Sequence, residues 1–234
     1  IVQQAADKDI VFKCDDGSGD VETYFFLDGS SNTAGNPKTI FPDNSILTFG
    51  NSEDLQIFHN GTDSVIDNVS GGDLYISQKV ADKDLIFRAD DGSGGFETYF
   101  FLDGSASSGN PITQFPDLSQ LVFGNSQDLL LRHDGTDSLI QNNGGDFIIS
   151  QHTNDKDLIF KCDDGSGGVE TYFFLDGSAN TDGNPRTKFP DNSRLMFGAG
   201  DDLDIFHDGS DSYVRNNSAS GDLKIVQGWD DKEI

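Results

Sequence analysis

Basic side chains are scarce in this chain: 15 Lys and Arg stand against 41 Asp and Glu, giving a net charge of −26 over 234 residues. Nucleic-acid phosphates and anionic membranes both call for the opposite balance, so neither is expected as a partner. Apolar runs long enough to span a bilayer are also missing, and no stretch reads as a signal peptide or a lipidation motif. Cysteine is nearly absent. Cys14 and Cys162 occupy the same slot of two repeats, with Ala89 in the slot between. In a linear stack they would lie beyond the roughly 7 Å Cα separation that a disulfide tolerates, so both are expected to be free. There are only 6 Pro, one Met and one Trp, and no segment carries a helical apolar period.

What the chain does have is repetition. The nine residues Glu22–Ser30 recur unchanged at Glu97–Ser105 and Glu170–Ser178. Around them a unit of about 74 residues is written three times, starting at Asp7, Asp82 and Asp155. The boundaries are read as the end of a preceding repeat at 1–6, repeats at 7–81, 82–154 and 155–230, and the start of a following one at 231–234. Ile1-Val2-Gln3 matches Ile76-Ser77-Gln78, so the chain is expected to be a segment of something longer. Self-similar units stack and present surfaces, whereas an enzyme usually needs one asymmetric pocket. The expectation is therefore not an enzyme.

Short β-branched and aromatic runs alternate with Gly/Asp/Asn/Ser clusters, which is an all-β pattern. In the first repeat, strands are expected at Ile10–Cys14, Glu22–Leu27, Ser45–Phe49, Leu55–His59, Ser64–Asp67 and Asp73–Ser77, with a weak one at Thr39–Phe41. Asn60-Gly61 lies between two of them and predicts a tight hairpin with positive φ at both residues; Asp134-Gly135 and Asp208-Gly209 repeat it. The second half of each unit thus reads as a four-stranded meander. The fold class is all-β: tandem repeats of short antiparallel hairpins and meanders stacked into an elongated fibre-like or β-solenoid-like array.

Period-two alternation puts Tyr24 and Phe26 on one face and Phe25 on the other. A strand apolar on both faces should be covered on both. Tyr24, Phe25 and Phe26, with Tyr99, Phe100, Phe101, Tyr172, Phe173 and Phe174, are therefore candidates for packing against a neighbouring sheet or subunit. Self-association into an oligomer or filament follows, with a trimer among the options. The loops Ser31–Pro37, Ala106–Pro111 and Ala179–Pro185 differ between repeats and are natural seats for recognition, or merely for drift.

Three groups suggest chemistry. The acidic loop Asp-Asp-Gly-Ser-Gly and the glutamate after it make Asp15, Asp16, Glu22, Asp90, Asp91, Glu97, Asp163, Asp164 and Glu170 candidate calcium ligands, since carboxylates on a glycine-bent loop suit a hard cation. The spacing is not that of an EF-hand, and a plain hairpin loop is the competing reading. His59, Asp63 and Ser64, with their equivalents at 133, 137, 138 and 207, 211, 212, have the residue types of a hydrolase triad. They flank a tight turn without a nucleophile elbow, which reads as turn chemistry. A lone Trp229 is too little to claim a sugar platform.

Two motifs carry a family resemblance. Asp54–Ile66, Asp128–Ile140 and Asp202–Val214 (DLQIFHNGTDSVI, DLLLRHDGTDSLI, DLDIFHDGSDSYV) resemble the D-L-x-I-x-H-D-G-S-x-S-Y-I repeats of tail-fibre and other virion structural proteins of marine, cyanobacterial bacteriophages. Asp82–Ser105 (DKDLIFRADDGSGGFETYFFLDGS) is similar to their companion segment, and together the motifs cover nearly all of each unit. Leu130 and Arg132 depart from the usual polar–aromatic alternation. The resemblance implies an elongated β-rich fibre, often trimeric, at the virion surface or outside a cell, serving as a shaft and contacting a host; it carries over no catalytic residue. The alternatives are a cell-surface adhesin whose variable loops bind a glycan or receptor, and a polysaccharide depolymerase, which would need paired carboxylates about 5–9.5 Å apart in a groove.

Overall fold

The computed structural model describes residues 1–30, 35–105, 109–178 and 183–226. Most of the variable-loop residues, Trp229 and the 231–234 segment lie outside them. Strands fall where β-branched and aromatic runs do. The first repeat holds β1 (Ile10–Asp15), β2 (Val21–Asp28), β3 (Lys38–Ile40), β4 (Leu47–Phe49), β5 (Leu55–His59) and β6 (Ser64–Asn68). The second holds β7 (Leu85–Ala89), β8 (Glu97–Asp103), β9 (Ile112–Gln114), β10 (Gln120–Phe123), β11 (Leu129–His133) and β12 (Ser138–Asn142). The third holds β13 (Leu158–Asp163), β14 (Val169–Asp176), β15 (Arg186–Lys188), β16 (Leu195–Phe197), β17 (Leu203–His207) and β18 (Ser212–Asn216).

The strands pair only with their sequence neighbours. Six three-stranded antiparallel sheets result, two per repeat. The described strands form neither a closed barrel nor a solenoid, because every connection is a local hairpin and a solenoid needs coils stacked in parallel. The chain divides into two compact units, Ile1–Gln120 with Arg132–Ser138, and Leu121–Leu131 with Leu139–Ile234.

In the first sheet of each repeat one residue breaks the alternation. Phe12 pairs with Phe25 and Lys13 with Thr23, so Tyr24 is an extra residue, a bulge in β2. The same step skips Tyr99 in β8 and Tyr172 in β14. The bulge shifts the phase of the pleat on the Thr23 side, while Tyr24 and Phe26 line one groove together with Val11 and Ile46. From Phe25 onward the alternation holds. Phe12, Phe25 and Phe41 stack across the sheet at centroid distances of 4.5 and 5.6 Å, while Val11, Phe26 and Ile40 pair on the opposite face. The second and third repeats build the same ladders from Phe87, Phe100 and Phe115 and from Phe160, Phe173 and Phe189.

The bulge also fastens the two sheets of a repeat. Ser45 Oγ donates to the carbonyl of Tyr24, Ser119 Oγ to that of Tyr99 at 2.7 Å, and Ser193 Oγ to that of Tyr172. The Phe-Pro-Asp turn that carries each serine is closed by Ser45 N–H donating to the Pro42 carbonyl and Asn44 N–H to the His59 carbonyl.

Two expectations need correction. The hairpin turn lies one residue later than expected: Gly61 has φ +92° while Asn60 does not enter the left-handed region. Asn60 instead accepts the Thr62 and Asp63 N–H groups on its side-chain oxygen, so its role is to cap the turn. The fourth strand of the second sheet is absent. Asp73–Ser77 runs without turn or bend, and no described strand pairs with it. Its residues have strand character, but a strand exists only through a partner.

Candidate assembly surface

Among the described residues no hydrophobic side chain is buried. Tyr24 is 45 % exposed and Phe41 40 %, with Phe25 and Phe26 between buried and exposed. Within one chain, then, each first sheet is only half covered on either face, where the sequence led us to expect one face packed inside the repeat.

Each aromatic ladder is held in place by its repeat. Asp9 Oδ1 accepts the Gly29 N–H at 2.9 Å, and Asp84 and Asp157 do the same for Gly104 and Gly177 at 3.0 and 2.9 Å. This clamp brings the Lys8 carbonyl so close that a Cβ on Gly29 would sit 2.2 Å from its oxygen; Gly104 and Gly177 meet Lys83 and Lys156 in the same way at 2.3 Å. The recurring Asp-Lys-Asp and Leu-Asp-Gly-Ser motifs are two sides of one contact. Tyr99 and Tyr172 reach back to the acidic loop, their hydroxyls donating to the carbonyls of Asp90 and Asp163.

The acidic loops turn their carboxylates on themselves. Asp15 Oδ1 accepts the Gly17 N–H, and Asp16 Oδ1 accepts both the N–H and the hydroxyl of Ser18. Asp90 and Asp91, and Asp163 and Asp164, repeat these bonds. The serine hydroxyl, then its N–H, holds Asp16, Asp91 and Asp164 below the usual carboxylate range. Glu22, Glu97 and Glu170 sit on strands opposite Cys14, Ala89 and Cys162. An open groove of about 990 Å³ in the first repeat has Asp16 and Glu22 on its lining with Val11, Tyr24, Phe26 and Ile46. Among the described residues no three His, Cys, Asp or Glu side chains gather as a metal site would require.

Three of the four histidines serve the hairpins. His59 Nδ1 lies 3.2 Å from Ser64 Oγ across the turn, and the other two pairs, His133 with Ser138 and His207 with Ser212, lie 3.1 Å apart. The turn aspartates are occupied too. Asp134 and Asp208 accept backbone N–H groups of Asp137 and Asp211, which lowers their carboxyls below the usual range. Cys14 and Cys162 are exposed free thiols.

Sequence reading missed one cluster. Asp204 of β17 is fully buried. Arg215 Nη2 of β18 donates to its Oδ2 at 2.7 Å and Arg194 Nη1 at 3.0 Å, while both guanidinium groups lie over the Phe206 ring, 4.1 Å away for Arg194 and 5.5 Å for Arg215. The Arg215 hydrogen bond leads in holding Asp204 below the usual carboxylate range. The same three positions carry Ile46, Gln56 and Asp67 in the first repeat and Gln120, Leu130 and Gln141 in the second. That joint change was the signal available.

The geometry is suited to contact; among the described residues a serine hydroxyl meets a histidine ring at the three hairpin turns and once more at Ser150, 2.9 Å from His152 Nε2. Compared with family models, with curated proteins and with solved structures, the chain matches none.

Proposed function

We propose that this chain is a structural repeat segment of an extracellular or virion fibre, resembling a phage tail-fibre shaft, whose copies associate through their half-exposed aromatic sheets. The observation that carries this reading is the lack of any buried hydrophobic side chain among the described residues of a chain with three Phe ladders. Apolar surface on this scale is stable in water only when something covers it. Repetition favours a copy of the same chain as the cover, because equivalent sheets recur at equal intervals. The role is mechanical: aromatic sheets bury against neighbours while the acidic loops keep the outside solvated and discourage lateral clumping. Shaft and host-contact functions rest on the resemblance of the two repeat motifs to virion fibre proteins.

Sedimentation, light scattering and electron microscopy of the purified chain test the reading. Trimers or filaments at micromolar concentration are the expected result. A well-folded monomer that binds no hydrophobic dye, at any concentration and salt, would overturn it.

A further inference from the structure

Three segments of this chain have the composition of strands and the backbone of none. Asp73–Ser77, Asp146–Ser150 and Asp222–Val226 occupy the same place after the second sheet of each repeat, and all three run on without turn, bend or ladder partner. No backbone N–H or C=O of Leu74–Ser77, Phe147–Ser150 or Leu223–Val226 takes a hydrogen bond among the described residues. Their apolar side chains stand in solvent: Tyr75 is 79 % exposed, Ile148 77 % and Ile225 72 %. The same repeats leave sheet edges open. Each three-stranded sheet ends on two strands that pair on one side only. An unpaired strand and an open edge each carry unsatisfied donors and acceptors, and each is a template for the other.

We infer that these three segments are intermolecular strands, each adding to the free edge of a sheet in a second copy of this chain. The inference rests on the self-association proposed above and names the backbone contact that makes it. Three observations select a second copy as the occupant. The segments recur at the period of the sheets, so a copy in register offers one edge to each; a foreign partner would need the same period of about 74 residues. They are nearly free of charge between their leading aspartate and their end, Lys224 being the exception, in a chain of net charge −26 that elsewhere repels its own copy. Beside Ile149–Gln151 an open groove of about 550 Å³, lined also by Leu158, Leu175 and Pro185, leaves room for a neighbouring chain. The longer edge strands suit the pairing best: β6, β12 and β18 have five residues, as each segment does, and β1, β7 and β13 have five or six, while β3 and β4 have three.

Hydrogen–deuterium exchange on the full assembled chain tests the inference, together with a variant carrying Ile76→Pro, Ile149→Pro and Ile225→Pro. Proline suits an extended backbone but removes a donor that makes no bond among the described residues, so the six sheets should be unaffected. In the assembled wild type, amides of the three segments are expected to exchange at least about ten-fold slower than free peptide. The proline variant should keep its β circular dichroism and need about ten-fold higher concentration, or more, to assemble; a triple variant with alanine at the same positions, which keeps the N–H groups, should assemble more readily than the proline one. Assembled particles whose segment amides exchange as free peptide, or a proline variant that assembles like the wild type, would overturn the strand assignment and leave self-association standing. A chain that stays monomeric under all conditions would overturn both.

Discussion

The two sheets of a repeat are conserved within this chain to different degrees. In the first sheet, Glu22–Ser30 recurs letter for letter. In the second, one face is written three ways: Ile46, Gln56 and Asp67, then Gln120, Leu130 and Gln141, then the buried Arg194–Asp204–Arg215 cluster. Yet the backbone register of the second sheet is shared. Leu47 pairs with Ile57 and Phe49 with Leu55 in the first repeat, as Leu195 pairs with Ile205 and Phe197 with Leu203 in the third. In the first sheet the backbone itself demands the residue: a glycine pressed on a carbonyl, an aspartate clamping that glycine, a tyrosine in the bulge. In the second, turns fix the backbone, and the face need only balance its own volume and charge.

The first sheet is the easier one to break. Gly29→Ala is expected to cost about 1–3 kcal/mol, since the new Cβ meets backbone rather than a yielding side chain. Guanidinium unfolding of the assembled chain should show it, and Gly104→Ala and Gly177→Ala should match it.

In the second sheet a single change should hurt where a matched set does not. Asp204→Ala leaves two arginines facing each other over Phe206, and amides of β17 and β18 are expected to exchange about ten-fold faster. Replacing the whole cluster with the first repeat's residues (Arg194→Ile, Asp204→Gln and Arg215→Asp) should return exchange close to wild type. If the single and triple variants behave alike, the face is not self-contained.

Acid separates the repeats in the same region. The Asp204 and Asp208 carboxyls are lowered in the folded chain, so their contribution is complete above the unfolded carboxylate range and is lost as pH falls through their folded values. The first repeat has Gln56 and Asn60 there, which do not titrate. Exchange measured from neutral pH downward should therefore show the β17–β18 hairpin loosening before β5–β6.

A smaller gain is expected at Leu118. It holds φ +69° where the other repeats place Asn44 and Asn192 at +64°. A left-handed conformation is costly for leucine and mild for asparagine, so Leu118→Asn should stabilise the second repeat by about 0.5–1 kcal/mol in the same unfolding assay.

The least effect is expected from calcium removal. One oxygen of each of Asp15, Asp16 and their equivalents is already bound to its own loop. Sedimentation in a chelator should match sedimentation in calcium. Dissociation in the chelator would assign the acidic loops to metal after all.

Much of the fold was legible in the residues. β5 at Leu55–His59 was read to the residue, and β1, β2 and β6 to within one. Local chemistry fixes them: apolar alternation, bounded by glycine and asparagine turns. The bulge at Tyr24 was not legible, because an extra residue in a strand leaves alternation looking intact on either side. The Asp204 cluster was hidden too. Its members are ten and eleven residues apart, and only the pairing of β17 with β18 brings Asp204 opposite Arg215.

By itself the sequence determined the repeat period, the all-β class, the hairpin connections and the acidic character, all of which follow from short-range pattern and composition. Tertiary structure decided the rest. It placed the glycine clamp, the bulge and the buried aspartate, and it left the Asp73–Ser77 segment without a partner among the described strands. The physical reason is that burial and pairing are relations between distant parts of the chain. A pattern can show that Leu74 and Ile76 belong on a sheet, but only the positions of all the other described strands show that none of them lies beside these residues.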